Sequence, residues 1–145
     1  MSPFSKVVSI RWADLDPNFH MRHSVYYDLG AQQRIEVIES LGLTVKLMQQ
    51  QQFGPILFRE ECVFKKEILL SDTITIHAKL AKRNADASRW TVQHEFISSD
   101  DKVCAILTLD GAWIDTRLRK LLSPIPQIVI DAFDAFPRTE NFSLI

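Results

Sequence analysis

Trp12-Ala13-Asp14-Leu15-Asp16-Pro17-Asn18-Phe19-His20-Met21-Arg22-His23-Ser24 is the stretch on which the reading of this chain turns. It gathers two carboxylates, two histidines, an arginine and a proline between two regular elements. Before it, Lys6 to Trp12 alternates, with Val8, Ile10 and Trp12 facing one way and Ser9 and Arg11 the other, the pattern of a half-buried strand. After it, apolar residues recur at helical spacing from about Val25 to Leu41. Pro17 disfavours helix at Asp16 and fixes its own φ, so Asp16 is expected in an extended or turn conformation. The polar cluster therefore lies at a helix amino terminus, where backbone N–H groups are unpaired and the dipole favours negative charge. That is a place suited to chemistry at a carbonyl.

Working outward, Ser24 is a good N-cap type and Asp28 falls in the expected first turn. Tyr27, Ala31, Ile35 and Ile38 form the apolar stripe, widened by Gly30, Val37 and Leu41, and Gly42 is a natural stop. Thr44 to Gln52 reads as a short helix or a loop, and Gly54-Pro55 breaks the pattern. From Ile56 the period becomes two. Ile56, Phe58, Cys62 and Phe64 share a face, with Glu60 falling among them. Ile74, Ile76, Ala78 and Leu80 form the next strand, and Trp90, Val92, His94 and Phe96 the one after. Val103 to Ile114 is apolar on both faces, which predicts a central strand covered on both sides. Ser123-Pro124 resembles a helix start, with helix to about Phe133, although Pro126 argues for a later beginning. The tail after Pro137 is expected to be loosely held. Five strands and one long helix make an α+β domain spanning 1–145, with an antiparallel sheet and no internal repeat. The second face of Val103 to Ile114 asks for cover from a partner subunit, so a homo-oligomer, dimer or tetramer, is expected.

Composition narrows the classes. Hydrophobic residues make up 46% and charged residues 24%, as in ordinary soluble domains. The net charge of −1 gives no electrostatic case for nucleic acid or an anionic membrane. Cys62 and Cys104 lie in apolar runs without metal-ligand spacing and read as buried free thiols. The start shows no secretory signal and no apolar run is long enough to span a membrane, so a cytoplasmic setting is expected. Gly-rich phosphate loops and Gly-x-Ser-x-Gly elbows are missing.

Asp14-Leu15-Asp16-Pro17-Asn18-Phe19-His20, followed by Val25-Tyr26-Tyr27, resembles the Asp-x-Asp-x-x-x-His loop and following helix of hotdog-fold acyl-CoA thioesterases. The likeness is to the 4-hydroxybenzoyl-CoA thioesterase-like group. Gly54-Pro55-Ile56-Leu57 and Ser71-Asp72-Thr73 add to the resemblance, which covers roughly Val7 to Asp115. Phe19 stands where many relatives have Gly, and Met21-Arg22-His23 where many have Val-Asn-Asn. The resemblance implies a hotdog fold, with the sheet wrapped around one long central helix. It implies hydrolysis of an acyl thioester to free acid and CoA, with CoA entering as part of the substrate and no metal or other cofactor. The alternative is a hotdog module that binds acyl-CoA or an acyl carrier without turnover. A dehydratase-like enzyme fits less well, because the Asp-rich loop precedes the helix.

By that resemblance Asp16 is the nucleophile or general base; the competing role is a turn or helix cap. Asp14 reads as a structural hydrogen-bonding group. His20 is the second catalytic candidate, to orient the carbonyl or to donate to Asp16. Arg22 is placed to bind an anion or to pair with Asp14 or Asp28, and His23 to contact substrate. Glu60 and His94 both fall where an apolar neighbourhood is expected. They either pair with each other, or a bulge re-aims one, or Glu60 contacts substrate. Arg83, Ser88 and Arg89 flank a hairpin and are candidates for the CoA nucleotide. Tyr26, Tyr27, Phe58 and Trp90 are candidates for an acyl pocket, with plain core as the alternative.

Overall fold

The structure is a computed structural model that describes residues 2–145. Strand β1 (Ser5–Ser9) leads through a 3-10 turn at Trp12–Asp14 into α1 (His23–Ser40). Then come α2 (Val45–Gln51), β2 (Phe53–Phe64), β3 (Thr73–Arg83), β4 (Arg89–Ser98), β5 (Val103–Asp115) and the short β6 (Lys120–Leu121). Helix α3 (Gln127–Asp134) and β7 (Arg138–Leu144) complete the chain. The α+β class follows from this order. The main path of the sheet runs β1-β3-β4-β5-β2, with β6 joined to β5 and β7 to β3.

Period-two patterning places the core on one face of the sheet. Ile74, Ile76, Ala78 and Leu80 are fully buried on β3, as are Val92, His94 and Phe96 on β4. These are the faces that alternation assigns. β3, β4 and β5 pair antiparallel in sequence, the cheapest topology for strands joined by short turns.

Helix α1 crosses this face, rotated from the stripe read in the sequence. Its buried residues are Val25, Tyr26, Gly30, Gln33, Val37 and Ile38, while Ala31 is exposed and Ile35 only half-buried. Gly30 sets the rotation. A Cβ there would lie 2.5 Å from Leu107 Cδ2 and 3.3 Å from His94 Cδ2, so the helix backbone approaches β5 closely enough that any side chain would displace Leu107. Gln33 is buried because both ends of its amide are used. Its Nε2 donates to Ile76 O at 2.7 Å and Pro3 O at 3.1 Å, and its Oε1 meets His94 Nδ1 at 2.8 Å.

Several expectations are corrected. Five strands become seven, and the one long helix is joined by α2 and α3, both short helices. α1 begins at His23, so Arg22 is the N-cap and Ser24 lies inside the first turn, with no acidic residue there. Gly42 does stop the helix, at φ +88°. Thr44 Oγ1 accepts from Leu47 N at 3.1 Å and caps α2, which settles that segment as helix. β2 runs through Gly54-Pro55 because it is an edge strand, where proline's missing N–H costs no ladder bond. α3 starts after Pro126 rather than at Ser123, as the second proline argued. The segment after Pro137 is a strand, pairing parallel to β3 from Leu80↔Arg138 to Arg83↔Leu144. The outer face of β5 keeps Ile106, Thr108 and Asp110 only half-buried.

Candidate active site

The loop from Asp14 to Arg22 is built by its own hydrogen bonds. Asp14 is buried. Its carboxylate takes Arg11 Nη2 at 2.7 Å, Arg11 Nε at 3.1 Å and the Arg11 backbone N–H at 3.0 Å. The Arg11 guanidinium holds the Asp14 carboxyl below its usual range, against the opposing effect of burial. Asp14 O also accepts the Arg22 N–H at 2.8 Å, so this residue anchors both ends of the loop.

Asp16 faces the other way. Its Oδ1 accepts the backbone N–H of Asn18 at 2.9 Å and of His20 at 3.1 Å, an Asx turn closed by Asp16 N donating to His20 O at 2.8 Å. Among the described residues no hydrogen bond is made to Oδ2. Phe19 completes the turn at φ +66°, the left-handed conformation that glycine adopts without strain. The position where relatives carry Gly thus keeps glycine's backbone shape in this chain.

Asp16, His20, Met21, His23, Tyr26, Phe64, Lys65, Lys66 and Glu67 line an open cleft of about 360 Å³. α1 begins at its wall. Arg22 offers no acceptor to the first turn, so no side chain caps those N–H groups at the N-cap. The Arg22 guanidinium turns back instead, to Ser24 Oγ at 2.9 Å and to the Ala13 carbonyl, and pairs with neither Asp14 nor Asp28. The His20 ring does not bond Asp16. Its Nε2 lies 3.6 Å from Glu67 Oε2, and the link to Asp16 is through the His20 main chain. Tyr26 stands edge-on to Phe64 at 4.9 Å, and burial pushes its hydroxyl up to about 12, so it stays neutral and able to donate.

Four of the residues singled out from the sequence therefore meet: Asp16, His20, His23 and Tyr26. Tyr27 is half-buried against the core. Phe58 is exposed under the Arg89 guanidinium, 4.7 Å from the ring centroid, and both line a different hollow with Lys82, Thr91 and Asp110. Arg83 is only 5% exposed. Its guanidinium is taken by Asp134 at 2.6 Å, Asn84 O at 3.1 Å and Ala85 O at 2.9 Å. Ser88 Oγ accepts from Asn84 Nδ2 at 2.7 Å within the hairpin. Lys65, Lys66 and Glu67 were not singled out. They follow β2 directly, and their charge run was the one available signal.

Glu60 and His94 do not touch each other; Arg34 joins them. A bulge between Leu57 and Arg59 shifts the register of β2. Leu57 lines a cavity beside α1, yet beyond the bulge it is Glu60 and Phe64 that turn toward the helix. Arg34 Nη2 lies 3.7 Å from Glu60 Oε2, and Arg34 Nη1 lies 3.0 Å from His94 Nε2. Because Gln33 Oε1 is an acceptor, His94 carries its proton on Nδ1 and accepts from Arg34 at Nε2. Burial, helped by Arg34, lowers the His94 pKa to about 3, so the ring is neutral. Burial also lowers that of Arg34 to about 10, with Glu60 opposing the shift.

Comparison with known proteins adds the family. Residues 10–133 match the Thioesterase-like superfamily. No curated protein matches the sequence. Among solved structures, a hypothetical protein from Staphylococcus aureus in complex with CoA aligns with TM-score 0.84 at 16% identity. It covers 97% of this chain and 89% of its own. A 1,4-dihydroxy-2-naphthoyl-CoA thioesterase from Synechocystis aligns with TM-score 0.80 at 16% identity, covering 91% and 96%. A DHNA-CoA thioesterase from Staphylococcus aureus gives TM-score 0.73 at 16% identity, covering 81% and 78%. At such identities these likenesses show a common fold. The family match spans most of the chain, including the Asp16 loop and α1, and on it this chain belongs to the Thioesterase-like superfamily.

Proposed function

We propose that this protein hydrolyses an acyl-CoA thioester to the free acid and CoA, with Asp16 at the reacting centre. The observation that carries the reading is the Asp16 carboxylate. It is tethered through Oδ1, open at Oδ2, and set in a cleft beside the uncapped first turn of α1. With the thioester carbonyl oxygen on those N–H groups, the developing negative charge is stabilised. Oδ2 then either attacks the carbonyl carbon, expelling the CoA thiolate and leaving an anhydride for water to open, or takes a proton from the attacking water. His20 and Tyr26 are placed to orient the acyl group. Lys65 and Lys66 offer cations for CoA phosphates. The resemblance of the Asp16 loop supports a reading within the 4-hydroxybenzoyl-CoA thioesterase-like group. The neighbours named for CoA thioesters, one solved with CoA, support the choice of substrate class.

The test is thiol release from a panel of acyl-CoAs by the wild type and by Asp16→Asn and Asp16→Ala. A fall of at least about a hundredfold in kcat is expected for both, within the usual worth of a base or nucleophile. Unchanged turnover would remove Asp16 from the mechanism. One observation favours the second reading, a binding module without turnover: both Oδ1 bonds serve the loop itself. Acyl-CoA binding without any thiol release would select it.

The reading includes a homo-oligomer in a cytoplasmic setting. Among the described residues β2 pairs only with β5, and its exposed Leu57, Phe58, Val63 and Phe64 lie along the free edge. Two copies joined there would share one sheet and cover this apolar strip. No helix among the described residues is long and apolar enough to cross a membrane.

A further inference from the structure

A second cavity lies at the other end of α1. Ala31, Arg34, Ile35 and Ile38 of the helix, Pro55 and Leu57 of β2, Trp90 and Val92 of β4, Trp113 of β5, and Phe133 and Phe136 at α3 enclose about 210 Å³. It shares no lining residue with the Asp16 cleft. Its wall is apolar with two exceptions, Arg34 and the indole N–H of Trp90. Arg34 is the one charged residue on it. Its side chain is 16% exposed, and its guanidinium keeps one close hydrogen bond to neutral His94 and has its carboxylate partner Glu60 at 3.7 Å, beyond hydrogen-bond reach. Of its five N–H donors only the one on Nη1 facing His94 has an acceptor among the described residues, so the guanidinium has donors to spare. Trp90 is buried as well, and its Nε1–H has no acceptor among the described residues. A guanidinium with spare donors and an indole without an acceptor, both from residues that line one apolar cavity, call for the same complement: an acceptor group on an apolar body.

Volume limits that body. A dry cavity of about 150 Å³ holds benzene. The space here takes one ring with a short substituent, or a medium aliphatic chain folded against the aromatic wall. We propose that the α1–α3 cavity is a binding site for a small carboxylic acid, its carboxylate toward Arg34 and its apolar body against Trp113, Phe133 and Ile38. The site is separate from the Asp16 cleft, and the inference holds whether or not that cleft hydrolyses thioesters.

Two of the three tryptophans line this cavity, and the third, Trp12, is exposed. In a Trp12→Phe background the fluorescence therefore reports the cavity alone. Octanoate and 3-phenylpropionate are titrated against it, with 1-octanol as the uncharged comparison and calorimetry as a second readout. Saturable binding of the acids is expected. Arg34→Met should weaken acid binding at least tenfold and leave the alcohol unchanged. Should Arg34→Met fail to fold, Ala31→Phe serves, since Ala31 is an exposed residue at the rim. It should abolish binding of acid and alcohol while circular dichroism stays native. Asp16→Asn should bind the acids as the wild type does. The proposal is overturned by any of three results: no acid binding to the wild type, undiminished binding in folded Arg34→Met or Ala31→Phe, or loss of binding in Asp16→Asn.

Discussion

Phe19 keeps a left-handed backbone while its ring stays 64% exposed beside Trp12, Leu15, Leu69 and Leu70. A non-glycine residue in that conformation costs roughly 1–2 kcal/mol. Phe19→Gly is therefore expected to raise stability by about 1 kcal/mol in urea titrations, part of the relief being offset by glycine's freer unfolded state. His94 gives the second prediction at this scale. Unfolded, its imidazole takes up a proton near pH 6.5; folded, it does so only near 3. The unfolded state binds more protons between those values, so the His94 contribution is full above about pH 6.5 and is lost as pH falls through that range. The loss is on the order of 2–3 kcal/mol by pH 4.5. Urea midpoints should fall from pH 7.5 to 4.5, and less steeply in His94→Gln. Neither effect was legible in the sequence. The Asp16 loop showed its residue types, but the sign of φ at Phe19 and the Arg34 bridge to His94 depend on neighbours far along the chain.

At the level of elements, local pattern carried far. α1, β3 and β4 were readable because each writes its period over consecutive residues, and β5 because it is one long apolar run, whereas α2 stayed open between helix and loop. β2 was misread in its first half, because one bulge breaks the alternation there: Leu57 faces the cavity beside α1 and Phe58 is exposed, while Glu60 and Cys62 keep the inward side that alternation assigns. The hairpin after β3 shows the same limit for charges. Arg83 looked like a surface cation for a nucleotide, yet it ties the hairpin to α3 through Asp134. Arg83→Ala should cost about 2–4 kcal/mol in stability, as removing a buried charged donor does. The KM for acyl-CoA, measured on the folded fraction, should stay unchanged. The exposed Arg89→Ala should show the reverse balance, with little effect on thermal melting.

For the whole molecule, the class and the β3-β4-β5 pairing were accessible because short turns force antiparallel neighbours, but the place of β2 beside β5, and not beside the β3 that follows it in sequence, was not. Nor was the parallel β7. Arg138-Thr139-Glu140-Asn141-Phe142-Ser143-Leu144 has no clean alternation, and its partner lies far back in the chain. The open edge at β2 predicts a particle of twice 16.7 kDa or a multiple in sedimentation. Val63→Lys, at an exposed site on that edge, should move the population toward monomer without lowering the melting temperature by more than a few degrees. At the far edge, β1 and β7 both lie along β3. Ser5 sits opposite His77, and Leu144 opposite Arg83. Six register positions at about 3.3 Å each put these two residues roughly 20 Å apart. A flexible linker of about ten residues can close that gap. The chain should therefore tolerate circular permutation, with new ends cut into the exposed Ser99–Asp101 turn, and the permuted protein should keep the Asp16 cleft intact.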